Sequence, residues 1–146
     1  MRYSALLVCA CLIAGCQSVR WTHPPQKLAG TSWRAEMIGG SEVSRGIDST
    51  LEIDTDAAIS GYGGCNPYVS EVTVDSRSIR FGEILAAEMS CEPARSEQEQ
   101  RFFSALRATY QMRMDRDRLV LADEKGATVL RLTRLPLGYQ PNGINR

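Results

Sequence analysis

Cysteine is the residue of this chain with the widest chemical repertoire, since a thiolate can attack, bind metal, carry lipid or pair with another cysteine. Five are present: Cys9, Cys11, Cys16, Cys65 and Cys91. Nucleophilic catalysis by any of them, or by a serine, needs a base beside the nucleophile. The one histidine, His23, stands in the Pro-rich run Thr22-His23-Pro24-Pro25, outside the patterned part of the chain. A Ser-His or Cys-His pair inside a folded domain is thereby excluded. The two lysines, Lys27 and Lys125, lie far apart in sequence. Cys65, Cys91 and His23 cannot complete the four ligands of a zinc site. Carboxylates occur close together at Asp54 and Asp56, Asp115 and Asp117, and Asp123 and Glu124. Each pair falls at an expected strand end or turn, where acidic side chains serve turn geometry. None has the oxygen-rich spacing of a calcium loop. Gly61-Tyr62-Gly63-Gly64 has the look of a phosphate cradle, but no Lys-Ser/Thr follows it. The residues after Asn66 read as a strand, so no helix N-terminus is expected there to hold an anion. A sharp bend or bulge is the expectation at Gly61, Gly63 and Gly64. No enzymatic activity, cofactor or metal is expected.

The N-terminus has a chemistry of its own. Met1-Arg2 is followed by an unbroken apolar run from Ala5 to Ala14, and then by Gly15-Cys16. A charged start, a short apolar stretch and small residues at a cut site describe a secretory signal peptide. The run falls well short of the roughly 20 apolar residues of a membrane-spanning helix. With cysteine directly after the cut, Leu12-Ile13-Ala14-Gly15-Cys16 resembles the lipobox of bacterial lipoproteins, with Ile13 replacing the usual Leu. The resemblance implies cleavage before Cys16, diacylglycerol on its sulfur and a third acyl chain on its new amino group. A signal peptide cut elsewhere is the alternative. By the rule known from enterobacteria, Gln17 rather than Asp after the lipidated cysteine points to the outer membrane.

Seventeen Lys and Arg balance seventeen Asp and Glu, and loss of residues 1–15 removes Arg2, leaving 16 against 17, a net charge of −1. Near-neutrality excludes the electrostatic footprint of a nucleic-acid binder. It also excludes a polybasic membrane patch, so membrane attachment falls to the lipid. Cys9 and Cys11 leave with the signal peptide and Cys16 carries lipid. Cys65 and Cys91 remain in an oxidising compartment, where an even count favours a disulfide over two buried free thiols.

Residues 16–27 read as a lipidated tether with an r.m.s. span of about 18 Å. The folded domain is expected over 28–135 and a disordered tail over 136–146. Trp33 anchors the first apolar segment, which Gly39-Gly40 ends. Thr50 to Asp54 and Tyr68 to Val74 alternate polar and apolar residues. Ser78 to Phe81, Ile84 to Met89, Tyr110 to Met114, Leu119 to Leu121 and Thr128 to Leu132 are further strand-like runs. Short strands at this spacing predict a small antiparallel barrel or sandwich. One helix is expected over about 96–109: Ser96 and Glu99 fit a capping box, and Phe102, Phe103, Leu106 and Tyr110 share one face. That aromatic face reads as core.

Several stretches together resemble the META domain, the family of the HslJ-type heat-inducible proteins. They are Leu28-Ala29-Gly30-Thr31-Ser32-Trp33, Ile59-Ser60-Gly61-Tyr62-Gly63-Gly64-Cys65-Asn66-Pro67-Tyr68, Ile79 to Ile84, Met89-Ser90-Cys91, the helix residues Glu99, Phe102, Phe103 and Leu106, and the strands around Leu119-Val120-Leu121 and Val129 to Leu132. Ser70 replaces a usual Gly, and Ala86-Ala87 a common Thr, both local departures. The resemblance implies a mainly β fold: a small antiparallel β-barrel of lipocalin-like shape with one amphipathic helix. It attaches no enzymatic activity and links relatives to heat shock and stress.

The resulting expectation is a monomeric, lipid-anchored envelope protein facing the periplasm, whose partner is an envelope protein or a small ligand. Cys16 is its anchor, Cys65 and Cys91 its staple, and Asn66 with Tyr68 the motif turn, Asn66 bonding its own backbone. Alternatives are a carrier with an apolar molecule inside the barrel, and a partner-binding module using the loop Gly39 to Ser49.

Overall fold

A computed structural model describes residues 28–54, 58–74, 78–136 and 139–141. Ten strands and one helix follow in the order β1 (Thr31–Ile38), β2 (Ser41–Glu42), β3 (Thr50–Ile53), β4 (Ala58–Tyr62), β5 (Pro67–Val74), β6 (Ile79–Phe81), β7 (Leu85–Ala86), α1 (Pro93–Ala108), β8 (Gln111–Asp115), β9 (Arg118–Ala122) and β10 (Thr128–Arg134). Eight of them run antiparallel in the order β6-β5-β4-β3-β1-β10-β9-β8, while β2 flanks β1 and β7 flanks β5. The amide of Ile79 donates to the carbonyl of Tyr110 at 2.8 Å, drawing β6 towards β8 and leaving a nearly closed barrel. The expected mainly β architecture is the one observed.

Period-two alternation decides which side of each strand faces inward. Trp33 and Ala35 of β1, Leu51 and Ile53 of β3, Ile59 of β4, Leu119 and Leu121 of β9, and Leu130 and Leu132 of β10 form one buried cluster. The Trp33 indole N–H, buried with its ring, donates to Thr31 Oγ1 at 2.8 Å. A buried indole is tolerated where that donor finds a partner. The helix supplies the other half of the core: Phe102 and Leu106 are fully buried and Phe103 nearly so. Tyr68 of β5 points inward to meet them, its ring 6.0 Å from Phe102 and 5.2 Å from Phe103, both edge-on. Phe81 of β6 is only half-buried. Arg101 reaches from the helix to β1, donating to the carbonyl of Ile38 at 2.9 Å.

The helix starts three residues before its expected beginning, and its N-terminus corrects the capping-box reading. Pro93 opens the first turn, where its missing N–H costs nothing. Glu92 occupies the cap position without a side-chain cap bond. Ser96 lies inside the helix, and Glu99 turns inward instead of reaching back. Tyr110 lies beyond the helix end: Thr109 is extended at φ −67° and ψ 130°. Ile84 to Met89 contributes only the two-residue β7, and Leu85 and Met89 are exposed. Leu135, the last residue before the expected tail, donates to the carbonyl of Ser32 at 2.8 Å, and within that tail the Tyr139 hydroxyl donates to Asp48 Oδ2 at 2.6 Å. Tail residues 137–138 and 142–146 lie outside the described residues. Cys16, the signal segment 1–15 and the tether 16–27 lie outside the described residues.

Candidate functional site

The glycine-rich stretch ends β4 and turns into β5. At Gly61 a Cβ would run into the carbonyl oxygen of Thr50 and come within 2.9 Å of the Tyr68 ring. At Gly63 it would lie 2.7 Å from Glu99 Oε2 and 2.7 Å from Phe103 Cζ. Gly64 has φ +133°, a conformation that L side chains rarely adopt. The first two glycines are therefore demanded by close approach, and the third by backbone geometry. The bend expected from the missing phosphate-loop context is present: the amide of Gly63 donates to the carbonyl of Asn66 at 2.8 Å.

The turn is held from the helix side by one carboxylate. Glu99, 9% exposed, accepts from the amide of Asn66 at 2.6 Å and from the amide of Cys65 at 3.1 Å, both at Oε2. Its Oε1 accepts from Asn66 Nδ2 at 2.8 Å. Three hydrogen bonds thus satisfy a polar group that would otherwise sit unpaired in the interior. The turn position predicts that Asn66 bonds its own backbone, and the structure corrects this: Asn66 donates its side-chain amide to Glu99. Its Oδ1 accepts instead from the amide of Met89 at 2.8 Å, so one side chain joins the helix to the segment before Cys91. Cys65 and Cys91 are disulfide-bonded with Cα atoms 5.9 Å apart. The staple thus crosses the same turn that Glu99 and Asn66 clamp.

Gln98 does for the preceding loop what Glu99 does for the turn. Its Oε1 accepts from the amide of Ser44 at 2.6 Å. Its Nε2 donates to the carbonyl of Ile47 and to Ser49 Oγ, each at 3.0 Å. Ser49 in turn donates to the carbonyl of Gly63 at 2.6 Å. Ile47, Asp48 and Ser49 are buried, so only the first part of the loop Gly39 to Ser49 is available as a contact surface. Tyr68 donates its hydroxyl to the carbonyl of Thr50 at 2.9 Å. Burial, with the charges of Glu52 and Asp54 nearby, pushes that phenol well above its ordinary value, so it stays a neutral donor.

Gly61, Gly63, Gly64, Cys65, Asn66, Tyr68 and Cys91 are therefore brought together, and the arrangement is a clamp that positions backbone. Gln98 and Glu99 were missed as inward-facing groups. The signal was in the spacing, since Glu99 precedes Phe102, Phe103 and Leu106 by three, four and seven residues and shares their face. Of the carboxylate pairs, Asp123 accepts at Oδ1 from the amides of Lys125 and Ala127, both at 2.9 Å, as turn service requires. Asp115 and Asp117 lie 3.8 Å from Arg113 and 3.7 Å from Arg118.

An NMR structure of a protein from Burkholderia xenovorans shares the fold, with a TM-score of 0.57, 22% identity and coverage of 74% of this chain and 83% of that one. A second NMR structure is similar at a TM-score of 0.56 and 19% identity, covering 71% of this chain and 88% of the other. No curated protein matches. The family model of the META domain matches residues 26–135, the span that forms the barrel, the helix and the stapled turn, so the chain belongs to the META domain family.

Proposed function

We propose that this protein is a non-catalytic META module held at the bacterial cell envelope by lipid on Cys16, facing the periplasm at the outer membrane, where it binds or protects an envelope component under stress. The observation that carries the reading is the Cys65–Cys91 disulfide at the centre of the family motif. Such bonds persist in oxidising compartments and are rare in the cytosol. The lipobox-like Leu12 to Cys16 agrees with that address. Family membership agrees with a binding role, and the motif polar groups are spent on backbone, which leaves the outer surface for recognition. The alternative of an apolar molecule inside the barrel loses support, because Trp33, Tyr68, Phe102 and Leu130 occupy that space as core.

Expression with the native N-terminus in a Gram-negative host, followed by fractionation and mass spectrometry, tests the anchor. The expected N-terminal peptide begins at Cys16 with three acyl chains, and Cys16→Ala moves the protein out of the membrane fraction. Recovery of an unacylated protein that retains residues 1–15 overturns the reading.

A further inference from the structure

One side of β5 is shared by two short strands: β6 lies opposite Val72 to Val74, and β7 opposite Tyr68 and Val69. β6 is drawn towards β8 where Ile79 donates to Tyr110, but no strand among the described residues pairs with the other side of β7. The amide of Ala87 donates to the carbonyl of Pro67 at 3.1 Å. Antiparallel ladders alternate bonded and non-bonded pairs, so the bonded pairs are Pro67 with Ala87 and Val69 with Leu85. The N–H and C=O of Ala86, between them, point away from β5 to the open side.

The outer face beside that opening is apolar. Val69, Leu85 and Met89 are 53%, 60% and 55% exposed, three of the four exposed large apolar side chains among the described residues. Val69 and Leu85 stand directly opposite each other. Glu71, Glu83 and Glu88 are exposed around them, with no ion-pair partner among the described residues. Arg80 of β6, a cation on the same side of β5, lies over the Tyr110 ring at 4.7 Å. An open strand edge is a template for another strand. Three carboxylates of one sign select which strand. The same edge of a second copy would set like charge against like, and an anionic lipid surface would be repelled. A segment carrying Lys or Arg is attracted.

We propose that the open side of β7 takes up an extended segment of another protein, apolar at alternate positions and carrying Lys or Arg between them, as an added strand. Its backbone pairs with Ala86, its apolar side chains extend the face of Leu85 and Val69, and its cations meet Glu83 and Glu88. The inference rests on the binding role proposed above and names the partner class. It needs no lipid, so an unacylated protein that still binds such a segment would sink the anchor alone.

The test uses the full chain in a non-ionic detergent, with a capped octapeptide of alternating Lys and Val as probe and one of alternating Glu and Val as its counterpart. NMR chemical shifts report the site. The Lys peptide should perturb Val69, Leu85, Ala86 and Met89 and bind about ten-fold tighter than the Glu peptide, as two or three exposed charge pairs would provide. Replacing Glu83 and Glu88 together by Gln, both exposed, should remove most of that preference. The Lys peptide N-methylated at every residue keeps its charges and apolar groups but has no N–H for a strand, and its binding should be lost. Equal binding of the Lys and Glu peptides, undiminished binding of the N-methylated one, or perturbations confined to other surfaces would each overturn the proposal. Phosphatidylglycerol vesicles that shift the same four residues would assign the face to lipid and overturn it too.

Discussion

Replacing Glu99 by alanine tests the central physical claim, that one buried carboxylate holds the family turn. Three donors converge on it, the amides of Cys65 and Asn66 and the side-chain amide of Asn66, at 3.1, 2.6 and 2.8 Å. Alanine leaves all three without an acceptor in a buried place. An unsatisfied buried donor costs about 1–3 kcal/mol, and water entering the vacated volume recovers part of that, so the expected loss is about 3–5 kcal/mol. For a domain of this size the melting temperature should fall by roughly 12–20 °C. Glu99→Gln keeps one oxygen for the two backbone amides but sets its own N–H₂ against that of Asn66. About half the loss is expected for it. Urea unfolding followed by far-UV circular dichroism, with the disulfide intact, measures both variants. Combining Glu99→Ala with Asn66→Ala should give a coupling of at least about 1 kcal/mol, since the residues share one network. A loss below about 1 kcal/mol for Glu99→Ala, or strict additivity with Asn66→Ala, refutes the clamp.

Other perturbations have equally definite outcomes. Reducing the Cys65–Cys91 bond frees a loop of sequence separation 26, which should lower stability by about 3.5 kcal/mol in the chain-entropy account; an unchanged melting temperature on reduction would count against the staple. Gly63→Ala forces a methyl into the space of Glu99 and Phe103, and a loss of about 1–3 kcal/mol is expected in the same urea assay. Glu52→Gln should stabilise the protein at pH 7, because the native state disfavours the ionised form of Glu52 and glutamine has no charge to disfavour. As pH falls through the raised pKa to below 4.5, wild-type Glu52 becomes protonated in both folded and unfolded states and the advantage of the variant should vanish. Melting curves of both proteins across that range check the sign, and an advantage that grows on acidification contradicts it.

Much was legible from residue order alone, because period and composition act locally. Alternation in β3 and β5 set which side chains face inward, and the glycines before Cys65 marked the bend. An even pair of cysteines beyond an expected export signal pointed to the bond that joins Cys65 to Cys91. What the chain order left open were contacts between segments distant in sequence. Ser96 and Glu99 satisfy the local pattern of a cap equally well whether or not a better partner exists. Packing of Phe102 and Phe103 against Tyr68 then turned Glu99 towards the turn at Cys65, thirty-four positions earlier in the chain. Asn66 likewise had a local option in its own backbone and bonded Met89 instead, twenty-three positions away. Tyr139 had no visible role until the barrel brought Asp48 beneath it. The physical reason is common to all three. Short-range preferences are worth about 1 kcal/mol or less, whereas leaving a buried donor or carboxylate unpaired costs more, so the assembled barrel chooses the partner.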